Sequence, residues 1–314
     1  MDLGGIERVN YDILQGWETV SNTKIYPFQP TKNLTSVLGY LRGCLDRDIK
    51  HTIFMHLGLT KFLLLGRPKG SLKVFLHGIE AWKKLPAWHQ FLLQRVDHFL
   101  SNSQFTWDRF LHFNPGFGNK RHDVVHLGLG QQTGYFPPDP DLPAALIIGR
   151  MSQFEDYKGH RELIALWPQV RLQVPNAQLW IVGGGDLKPE LERLAKGSEG
   201  IVFFGKVTEE KKQELLKRCR CFAMPSRNEG FGLVYLEAMR MGRPCLVSDC
   251  DAGREIIDEF SSVLSYKDRE VWPTEISRSL LKLDQNMSEK IQFHYNSRFK
   301  SNHFLDRFYN SLIK

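Results

Sequence analysis

A repeated alternation of short apolar runs with amphipathic segments constrains the fold of this chain more than any other feature of its sequence. Runs at 52–56 and 73–77 have the length of buried strands, and segments with helical spacing of apolar residues, such as 34–48 and 86–95, separate them. Strands that alternate with helices build a parallel sheet covered by helices on both faces. The pattern therefore predicts an α/β fold with doubly wound parallel sheets.

The alternation occurs twice, which predicts two domains in the 314 residues. The first half is predicted to contain helices at 6–19, 34–48, 86–95 and 103–111, a short helix before residue 73, and strands at 24–28, 52–56, 73–77, 98–101 and 124–125. The second is predicted to contain strands at 144–149, 179–182, 202–204, 221–225 and 244–248, helices at 158–174, 187–196, 208–217 and 234–241, and further helices from about 270 to 313.

The segment 131–143 lies between the two halves and contains four prolines, which is typical of a linker. We therefore place the domains at 1–135 and 144–295. In two doubly wound domains the carboxyl ends of both sheets are expected to face a shared cleft, and ligands bind at such strand ends.

Basic residues are concentrated in the first half. Residues 1–140 contain 16 Lys and Arg against 11 Asp and Glu, whereas the whole chain has a net charge of +7. The first half also contains Trp82, Lys83, Lys84 and Trp88, which we expect to be exposed. Such a surface suits anionic lipid headgroups, nucleic acid or a phosphate-bearing substrate, and an ordinary solvated basic face is the alternative.

The sequence contains no apolar run close to the roughly 20 residues that cross a bilayer. Its first residues lack the basic and apolar segments of a secretory signal, so we expect a cytoplasmic protein. The five cysteines are scattered without zinc-ribbon or thioredoxin spacing, and we expect reduced, packed thiols.

The motif with the most chemical content follows the strand predicted at 221–225. Glu229 lies in the loop and Glu237 lies eight residues later, about one turn into the next helix, so both carboxylates can address one ligand. Gly230 and Gly232 allow the backbone to approach that ligand, and the amides of 231–234 at the helix start suit a phosphate group. A tight turn followed by a solvated helix face is the alternative for either glutamate alone.

Three further groups stand at strand ends or helix starts. Arg150 ends a predicted strand and Lys158 starts the next predicted helix, so the two cations can neutralise a diphosphate without a metal. Gly4 and Gly5 open the first helix. His77 ends another strand, where it can polarise a hydroxyl or donate to an anion, although a structural role is commoner for a lone histidine.

Together these motifs resemble the family-4 retaining glycosyltransferases of GT-B fold. The resemblance rests on the Glu-x7-Glu string, Arg150 with the Lys158-Gly159 pair, the segments 180–186 and 204–207, and the Gly-Gly-Ile-Glu at residues 4–7. It covers nearly the whole chain and is most specific from 144 to 257. It implies two domains that enclose a nucleotide-sugar, and a last helix, at 296–314, that crosses back to the first domain.

The resemblance also implies roles for individual residues. Arg150 and Lys158 would hold the diphosphate, Glu237 would bond the ribose hydroxyls, and Val207 would lie by the base. Glu229 would grip the transferred sugar together with the amides of Gly230, Phe231, Gly232, Leu233 and Val234. Gly4 and Gly5 would close over the phosphates, and His77 would contact the sugar or the acceptor, so that His77 and Glu229 are the catalytic candidates.

The first domain departs from the family pattern because the glycine pair begins at residue 4, which leaves no room for the usual first strand. This departure is the support for an alternative, a catalytically inactive homologue that binds nucleotide-sugar or a protein. A nucleic-acid-binding protein is a third alternative, which we do not favour because no recognised nucleic-acid module is present.

Other motifs are weaker. Asp-x-Asp pairs occur at Asp46, Asp139 and Asp249, and none has the context of a metal site, so we expect no metal. The glycines at 183–185 lack the third glycine of a dinucleotide fingerprint, and we interpret them as a strand-to-helix turn capped by Asp186.

The sequence thus predicts a cytoplasmic, metal-independent retaining hexosyltransferase in polysaccharide or glycolipid synthesis. Its co-substrate would be a UDP- or GDP-sugar, with no tightly bound cofactor, and its acceptor a glycan, a lipid-linked glycan or a small molecule. Peripheral contact with an anionic membrane at the inner face is a further hypothesis, drawn from the basic first half.

Overall fold

The structure, a computed structural model, describes residues 13–14, 34–130, 134–139 and 142–313. These residues form two compact units. The first is drawn from the chain up to Gly128 together with the last helix, and the second runs from Leu129 to Lys300. Each unit contains a parallel sheet with helices against it, which confirms the α/β parallel-sheet prediction. The predicted domain limits at 135, 144 and 296 stay a prediction.

The first unit has four parallel strands in its described part, in the order β1-β2-β3-β4. The strands are β1 (His51–Phe54), β2 (Ser71–Leu76), β3 (His98–Ser101) and β4 (Arg121–Val124). The helices are α1 (Leu34–Leu45), α2 (Ala87–Leu93), α3 (Gln104–Phe113) and the last helix of the chain, Ser301–Ile313; a 3-10 helix spans Leu57–Leu64.

One face of this sheet carries a core that is rich in aromatic residues. Phe99 stacks on Phe110, with ring centroids 5.8 Å apart, and Phe117 closes the same group. The helix α3 begins after Ser103, whose hydroxyl accepts from the amide of Thr106. Such a cap satisfies a helix-start donor and turns the apolar face of α3 onto the sheet.

The opposite face of the sheet packs against the last helix. Phe75 on β2 contacts Phe308, with ring centroids 6.2 Å apart. Beside it, the fully buried Lys73 donates to the carbonyls of Ser311 and Leu312, at 2.7 and 3.0 Å. A cation at the carboxyl end of a helix satisfies carbonyls that have no partner within the helix.

The second unit has six parallel strands in the order β10-β9-β8-β5-β6-β7. They are β5 (Ala144–Ile148), β6 (Gln178–Val182), β7 (Ile201–Gly205), β8 (Cys221–Ala223), β9 (Cys245–Ser248) and β10 (Ser262–Leu264). The order reverses between β5 and β8, which lie side by side. In an open parallel sheet such a reversal leaves a crevice at the carboxyl ends of the two strands.

The helices of the second unit are α4 (His160–Gln173), α5 (Lys188–Ala195), α6 (Glu209–Arg218), α7 (Leu233–Arg240), α8 (Trp272–Lys282) and α9 (Gln285–Arg298). The last helix of the chain, Ser301–Ile313, is α10. Within the second unit α8 packs on α4, and α9 packs on α7. The strands read as near-continuous apolar runs because helices cover the sheet.

The observed elements match most of the predicted ones. The structure adds β10, which the sequence did not predict because its three residues include only two apolar ones, whereas the equally short β8 lies within a longer apolar run. Trp82 was expected to be exposed and is buried, since it packs against Phe105 and carries the guanidinium of Arg109 over its ring. The prediction for the strand at 24–28 falls outside the described residues, as does most of the helix at 6–19.

Candidate functional site

The loops that follow β5 and β8 carry the charged residues singled out by the sequence. Because these two strands are neighbours and parallel, their carboxyl ends lie at the same edge of the sheet. Arg150 follows β5, Lys158 precedes α4, and Glu229 lies between β8 and α7. The strand order reverses at this edge, which is the usual position for a ligand in an open α/β sheet.

These three side chains and Glu155 form one chain of ion pairs. The Lys158 ammonium lies 3.1 Å from a carboxylate oxygen of Glu229 and 3.5 Å from one of Glu155. Glu155 also pairs with Arg150 through its other oxygen. The structure therefore brings together Arg150, Lys158 and Glu229, and it adds Glu155 as the carboxylate that joins the two cations.

The two cations differ in exposure. The Arg150 side chain is 80% exposed, whereas that of Lys158 is 13% exposed. Burial would lower the pKa of Lys158, but the Glu229 carboxylate, Tyr157 and Glu155 together raise it to about 12. Burial raises the pKa of Tyr157 to about 12 as well, so its phenol is neutral. Lys158 is thus a largely buried positive charge at neutral pH, whereas the Arg150 side chain is mostly exposed to solvent.

Two glycines allow the loops to approach one another. Gly159 has φ +93°, and a Cβ at this position would lie 2.7 Å from the Pro225 ring and 2.9 Å from its carbonyl oxygen. Gly232 has φ +81°, and a Cβ there would lie 2.4 Å from the Tyr235 ring. Both positions require a left-handed backbone and free space, which only glycine provides.

The loop that carries Glu229 is braced by backbone hydrogen bonds to three neighbouring segments. The amide of Arg227 donates to the carbonyl of Tyr157 at 2.9 Å, and the amide of Ala252 donates to the carbonyl of Glu229 at 3.1 Å. The Tyr266 hydroxyl donates to the carbonyl of Pro225 at 2.6 Å. These bonds hold the Glu229 carboxylate in one position relative to Lys158.

A buried tyrosine supports the same loop from below. The Tyr235 hydroxyl lies 2.7 Å from the carbonyl of Met224 and 2.9 Å from a carboxyl oxygen of Asp251. Burial raises the pKa of Asp251 well above its usual range. The Tyr235 hydroxyl is the donor in both contacts, and it has a single proton for these two acceptors. Asp251 also accepts from the amide of Gly253 at 2.8 Å, so this carboxyl braces the loop rather than facing a cation.

Glu237 has a different partner from Glu229. It lies on α7, is nearly fully buried, and accepts from the ammonium of Lys212 on α6 at 2.9 Å. The two glutamates therefore contact lysines on different elements. Gly230, Phe231 and Gly232 are buried in the loop between them, and Leu233 and Val234 are half-buried in the first turn of α7. Gly232 is the residue before α7, and no side chain caps this helix end.

The strand ends of β6 and β7 lie farther along the same sheet. Val207 is half-buried in the connection between β7 and α6. The prediction that Asp186 caps the following helix is wrong. Leu187 occupies the position before α5, and Asp186 accepts instead from the amide of Gln153, at 3.2 Å, in the loop after β5. This hydrogen bond joins the loop after β6 to the loop after β5.

His77 lies in the first unit, at the end of β2. Its Nε2 lies 2.8 Å from the carbonyl of Met55, and its backbone amide donates to Glu80 at 2.5 Å. Burial lowers its pKa, with Glu80 acting in the opposite direction, so the ring is neutral at pH 7 and donates from Nε2 to Met55. Gly4 and Gly5 lie outside the described residues.

Sequence reasoning missed two residues of this site, Glu155 and Lys212. Glu155 lies among other charged residues, and nothing in its spacing distinguishes it from Asp156. Lys212 lies on a solvated helix, three residues after Glu209, and its ammonium also pairs with the Glu209 carboxylate at 2.9 Å. A periodicity plot of α6 would have placed Lys212 toward the sheet, which is the one available signal.

Residues 143–284 match a family model described as glycosyl transferases group 1. The chain is 32% identical over 223 residues to a GDP-mannose-dependent monoacylated alpha-(1-6)-phosphatidylinositol monomannoside mannosyltransferase of Corynebacterium glutamicum. It is 30% identical over 221 residues to a GDP-mannose-dependent alpha-(1-6)-phosphatidylinositol monomannoside mannosyltransferase of Mycolicibacterium smegmatis. Each match covers 62% of this chain, and the chain spans only 58% and 56% of the two relatives.

Solved structures with the same fold cover almost the whole chain. The lipopolysaccharide outer core galactosyltransferase WaaB, without ligand, superposes with a TM-score of 0.74 at 17% identity, over 99% of this chain and 96% of WaaB. HepE of Anabaena, in complex with UDP and glucose, gives a TM-score of 0.71 at 14% identity, with the same coverage. The two parallel-sheet units therefore match the GT-B fold of glycosyltransferases.

Proposed function

We propose that this chain is a retaining glycosyltransferase of the family-4 type, which moves a hexose from a nucleotide-diphosphate donor to a glycan, a lipid-linked glycan or a small-molecule acceptor. The observation that carries the proposal is the group of Arg150, Lys158, Glu155 and Glu229 at the strand-order reversal of the second unit. The match of residues 143–284 to group 1 glycosyl transferases supports it, because this range contains all four residues.

The two cations suit the departure of a nucleoside diphosphate. When the bond between the sugar carbon and the phosphate oxygen breaks, negative charge increases on the diphosphate. Lys158 already carries a full positive charge at a largely buried position. The guanidinium of Arg150 can bind two phosphate oxygens. Charges that are in place before the reaction stabilise the leaving group without reorganisation.

The roles proposed for the remaining site residues are those that the family resemblance implies. Glu229 would bond the hydroxyls of the transferred sugar, next to the diphosphate, because its carboxylate contacts Lys158. Glu237 would bond the ribose, and Val207 would lie by the base. The loop Gly230, Phe231 and Gly232, with the amides of Leu233 and Val234, would line the sugar and phosphate.

The first unit would supply the acceptor side. His77, with its Nε2 already bonded to Met55, would contact the sugar or acceptor through its other ring nitrogen. Gly4 and Gly5 would close over the phosphates. In this proposal no side chain is the nucleophile: the acceptor hydroxyl attacks the sugar carbon, and its proton goes to the leaving phosphate. The protein contributes orientation, charge and exclusion of water.

The names of the relatives suggest a first donor. Two of them are GDP-mannose-dependent and act on phosphatidylinositol mannosides, so we propose GDP-mannose and a lipid-linked acceptor as the first pair to test. UDP-glucose is the second donor, since HepE was solved with UDP and glucose.

The test starts with thermal unfolding in the presence of GDP, UDP, ADP and their sugar conjugates. A ligand that binds only the folded protein raises its melting temperature, so a shift with one nucleotide identifies the base. Transfer to an acceptor mixture is then followed with that donor, with and without EDTA. We expect a product whose glycosidic bond keeps the anomeric configuration of the donor, and turnover that persists in EDTA.

Failure at the first step has a definite meaning. If well-folded protein shows no shift with any nucleotide, the donor site proposed here is wrong. If a nucleotide binds but no donor is ever hydrolysed or transferred, the chain is a binding module rather than an enzyme.

A further inference from the structure

The first unit has an exposed face on which apolar and basic side chains are mixed. Its apolar members are Leu64 and Leu65, at the end of the 3-10 helix, and Trp88 and Phe91 on α2; they are between 46% and 71% exposed. Large apolar side chains in such a group are costly to leave in water, and they mark contact surfaces more often than isolated ones do.

The two elements that carry these residues are held together. The hydroxyl of Thr60 lies 2.7 Å from Nε2 of His89 in a buried contact, and the Arg95 guanidinium donates to the carbonyl of Leu63 at 3.0 Å. His89 and Leu92 point inward, so Trp88 and Phe91, three residues apart, lie on the outer side of α2. The four apolar side chains therefore border one packed seam, which we call the Trp88–Phe91 face.

Positive charge surrounds this face. Lys61 lies next to the seam on the 3-10 helix, and Lys83 and Lys84 lie just before α2, all three exposed. Between residues 61 and 95 the chain has seven Lys and Arg residues, of which Lys73 is buried on β2, and one acidic residue, Glu80. Glu80 accepts from the amide of His77, and Asp97, just beyond, pairs with Arg67 at 2.7 Å. The lysines of the face are therefore not neutralised by these two carboxylates.

We propose that the Trp88–Phe91 face docks on an anionic lipid bilayer. An aromatic pair suits the boundary between headgroups and acyl chains, because tryptophan has an apolar body and a polar N–H. Lysines beside it are attracted to anionic headgroups, and a combination of apolar insertion with charge is what makes a peripheral protein bind. A soluble acidic protein without an apolar patch would satisfy the lysines but would leave Trp88 and Phe91 in water.

This proposal deepens the lipid-linked acceptor of the proposed function. Docking would bring the first unit, which we assign to the acceptor, to the surface from which the acceptor extends. The binding itself needs no donor and no turnover, so it is measured separately from activity.

The experiment is vesicle flotation of the full chain, with vesicles of phosphatidylcholine alone and of phosphatidylcholine mixed with phosphatidylglycerol. We expect flotation with the mixed vesicles, weaker flotation at high salt, and little with phosphatidylcholine alone. The double variant Trp88→Ser with Phe91→Ser should lose flotation. Phe293→Ser is the matched control, because Phe293 is 74% exposed on α9 and should leave flotation unchanged.

Two double variants that each remove two lysine charges test the electrostatic part of the proposal. Lys83→Gln with Lys84→Gln should weaken binding to mixed vesicles by about tenfold, since each lysine near the surface adds to the attraction. Lys196→Gln with Lys267→Gln removes the same charge from exposed positions of the second unit and should have little effect. All variants change exposed side chains, and their melting temperatures verify folding.

Three outcomes would overturn the proposal. One is folded wild type that does not float with mixed vesicles. Another is a Trp88 and Phe91 variant that floats as well as wild type. The third is a wild-type dimer in light scattering that becomes monomeric in the double variant, because the face would then join two copies of the chain. Transfer activity without flotation would overturn docking and leave the proposed function standing.

Discussion

Two buried or half-buried lysines show how differently the two units use the same residue type. Lys73 in the first unit lies on β2 near its start and donates to the carbonyls of Ser311 and Leu312, where burial lowers its pKa. Lys158 in the second unit lies beyond the carboxyl end of β5 and contacts the carboxylates of Glu155 and Glu229. Position along the strand therefore decides whether a lysine pairs with backbone carbonyls or with carboxylates at the edge of the sheet.

The physical reason is the kind of group that each place in the fold offers to pair with a lysine charge. At the strand-order reversal of the second unit, the loops after β5 and β8 bring carboxylates next to Lys158, so its charge is paired by other side chains. In the described part of the first unit the strands follow each other without a reversal, and α10 covers one face. A charge enclosed there must be satisfied by the protein itself.

The comparison is tested most strongly by Lys158→Met. We expect turnover to fall by at least about 100-fold, because the fixed charge against the leaving diphosphate is lost. Nucleotide binding in the thermal-shift assay should weaken as well. Lys188→Met is the matched control, since Lys188 is paired with Glu192 on the surface of α5 and should leave both quantities unchanged. Normal turnover by Lys158→Met would remove this lysine from the site.

Glu229→Gln should separate sugar binding from nucleotide binding. We expect kcat to fall by about 10- to 100-fold, because the carboxylate that contacts Lys158, and that we propose to bond the sugar, is replaced by a neutral amide. The melting-temperature shift caused by the free nucleotide should change little. A loss of nucleotide binding equal to the loss of turnover would mean that Glu229 only holds Lys158 in place.

Lys73→Met should affect stability and not catalysis. The change leaves the carbonyls of Ser311 and Leu312 buried without a donor, so we expect the free energy of unfolding to fall by about 1 to 3 kcal/mol. Urea unfolding measures it, and turnover per folded molecule should be unchanged. Lys120→Met is the control, because Lys120 also donates to two carbonyls, those of Gln94 and Val96, in a more exposed position. An equal loss in the control would contradict the role of burial.

Acid should weaken the first unit more than the second. Burial lowers the pKa of His98 and of His122 in the first unit to about 4, and that of His160 in the second to about 4. In the unfolded chain each titrates near about 6.5, so between pH 6.5 and 4 the unfolded state binds more protons and the free energy of unfolding falls as the pH falls.

Amide hydrogen exchange measures the protection of each unit separately, through peptides of β3 in the first unit and β6 in the second. It is measured at roughly pH 7.5, 5.5 and 4.5, which span this window. His122→Phe keeps the ring that stacks on Trp107, with centroids 4.1 Å apart, and should flatten the pH dependence of the first unit. His112→Phe, at an exposed position, should not. Equal protection of both units at all three pH values would contradict the expected difference.

Glu155→Gln should give the smallest effect, and in the opposite direction. Glu155 contacts both Arg150 and Lys158, where it occupies the position of a competing anion. Its removal should strengthen nucleotide-diphosphate binding by about two- to fivefold, measured by titration calorimetry. Weaker binding would instead mean that Glu155 positions the two cations. Glu192→Gln, which removes the carboxylate paired with Lys188, is the control.

Much of the fold could be predicted because its signals are local. Nearly every described strand and helix was found within a few residues, since periodicity and turn residues act over short stretches of chain. Strand β10 was missed because only two apolar residues mark it, whereas the equally short β8 lies within a longer apolar run. The strand order was not predicted beyond its parallel class, since order depends on contacts between distant segments.

The candidate site was predicted in part. Arg150, Lys158 and Glu229 were identified from their places at strand ends, and the structure brings them into one group. That Glu237 contacts Lys212 instead of sharing this group could not be foreseen, because the two glutamates are only eight residues apart and their partners lie on other elements.

The sequence by itself determined that the chain builds parallel α/β sheets, and that a glycine-bordered pair of glutamates follows one of the strands. Only the tertiary structure decided which charges meet. Lys158 and Glu229 are 71 residues apart in sequence, and they meet because β5 and β8 are neighbours in the sheet. Secondary-structure patterns depend on residues that are close in sequence. An ion pair between distant residues forms only when the folded sheet brings its partners within a few ångströms.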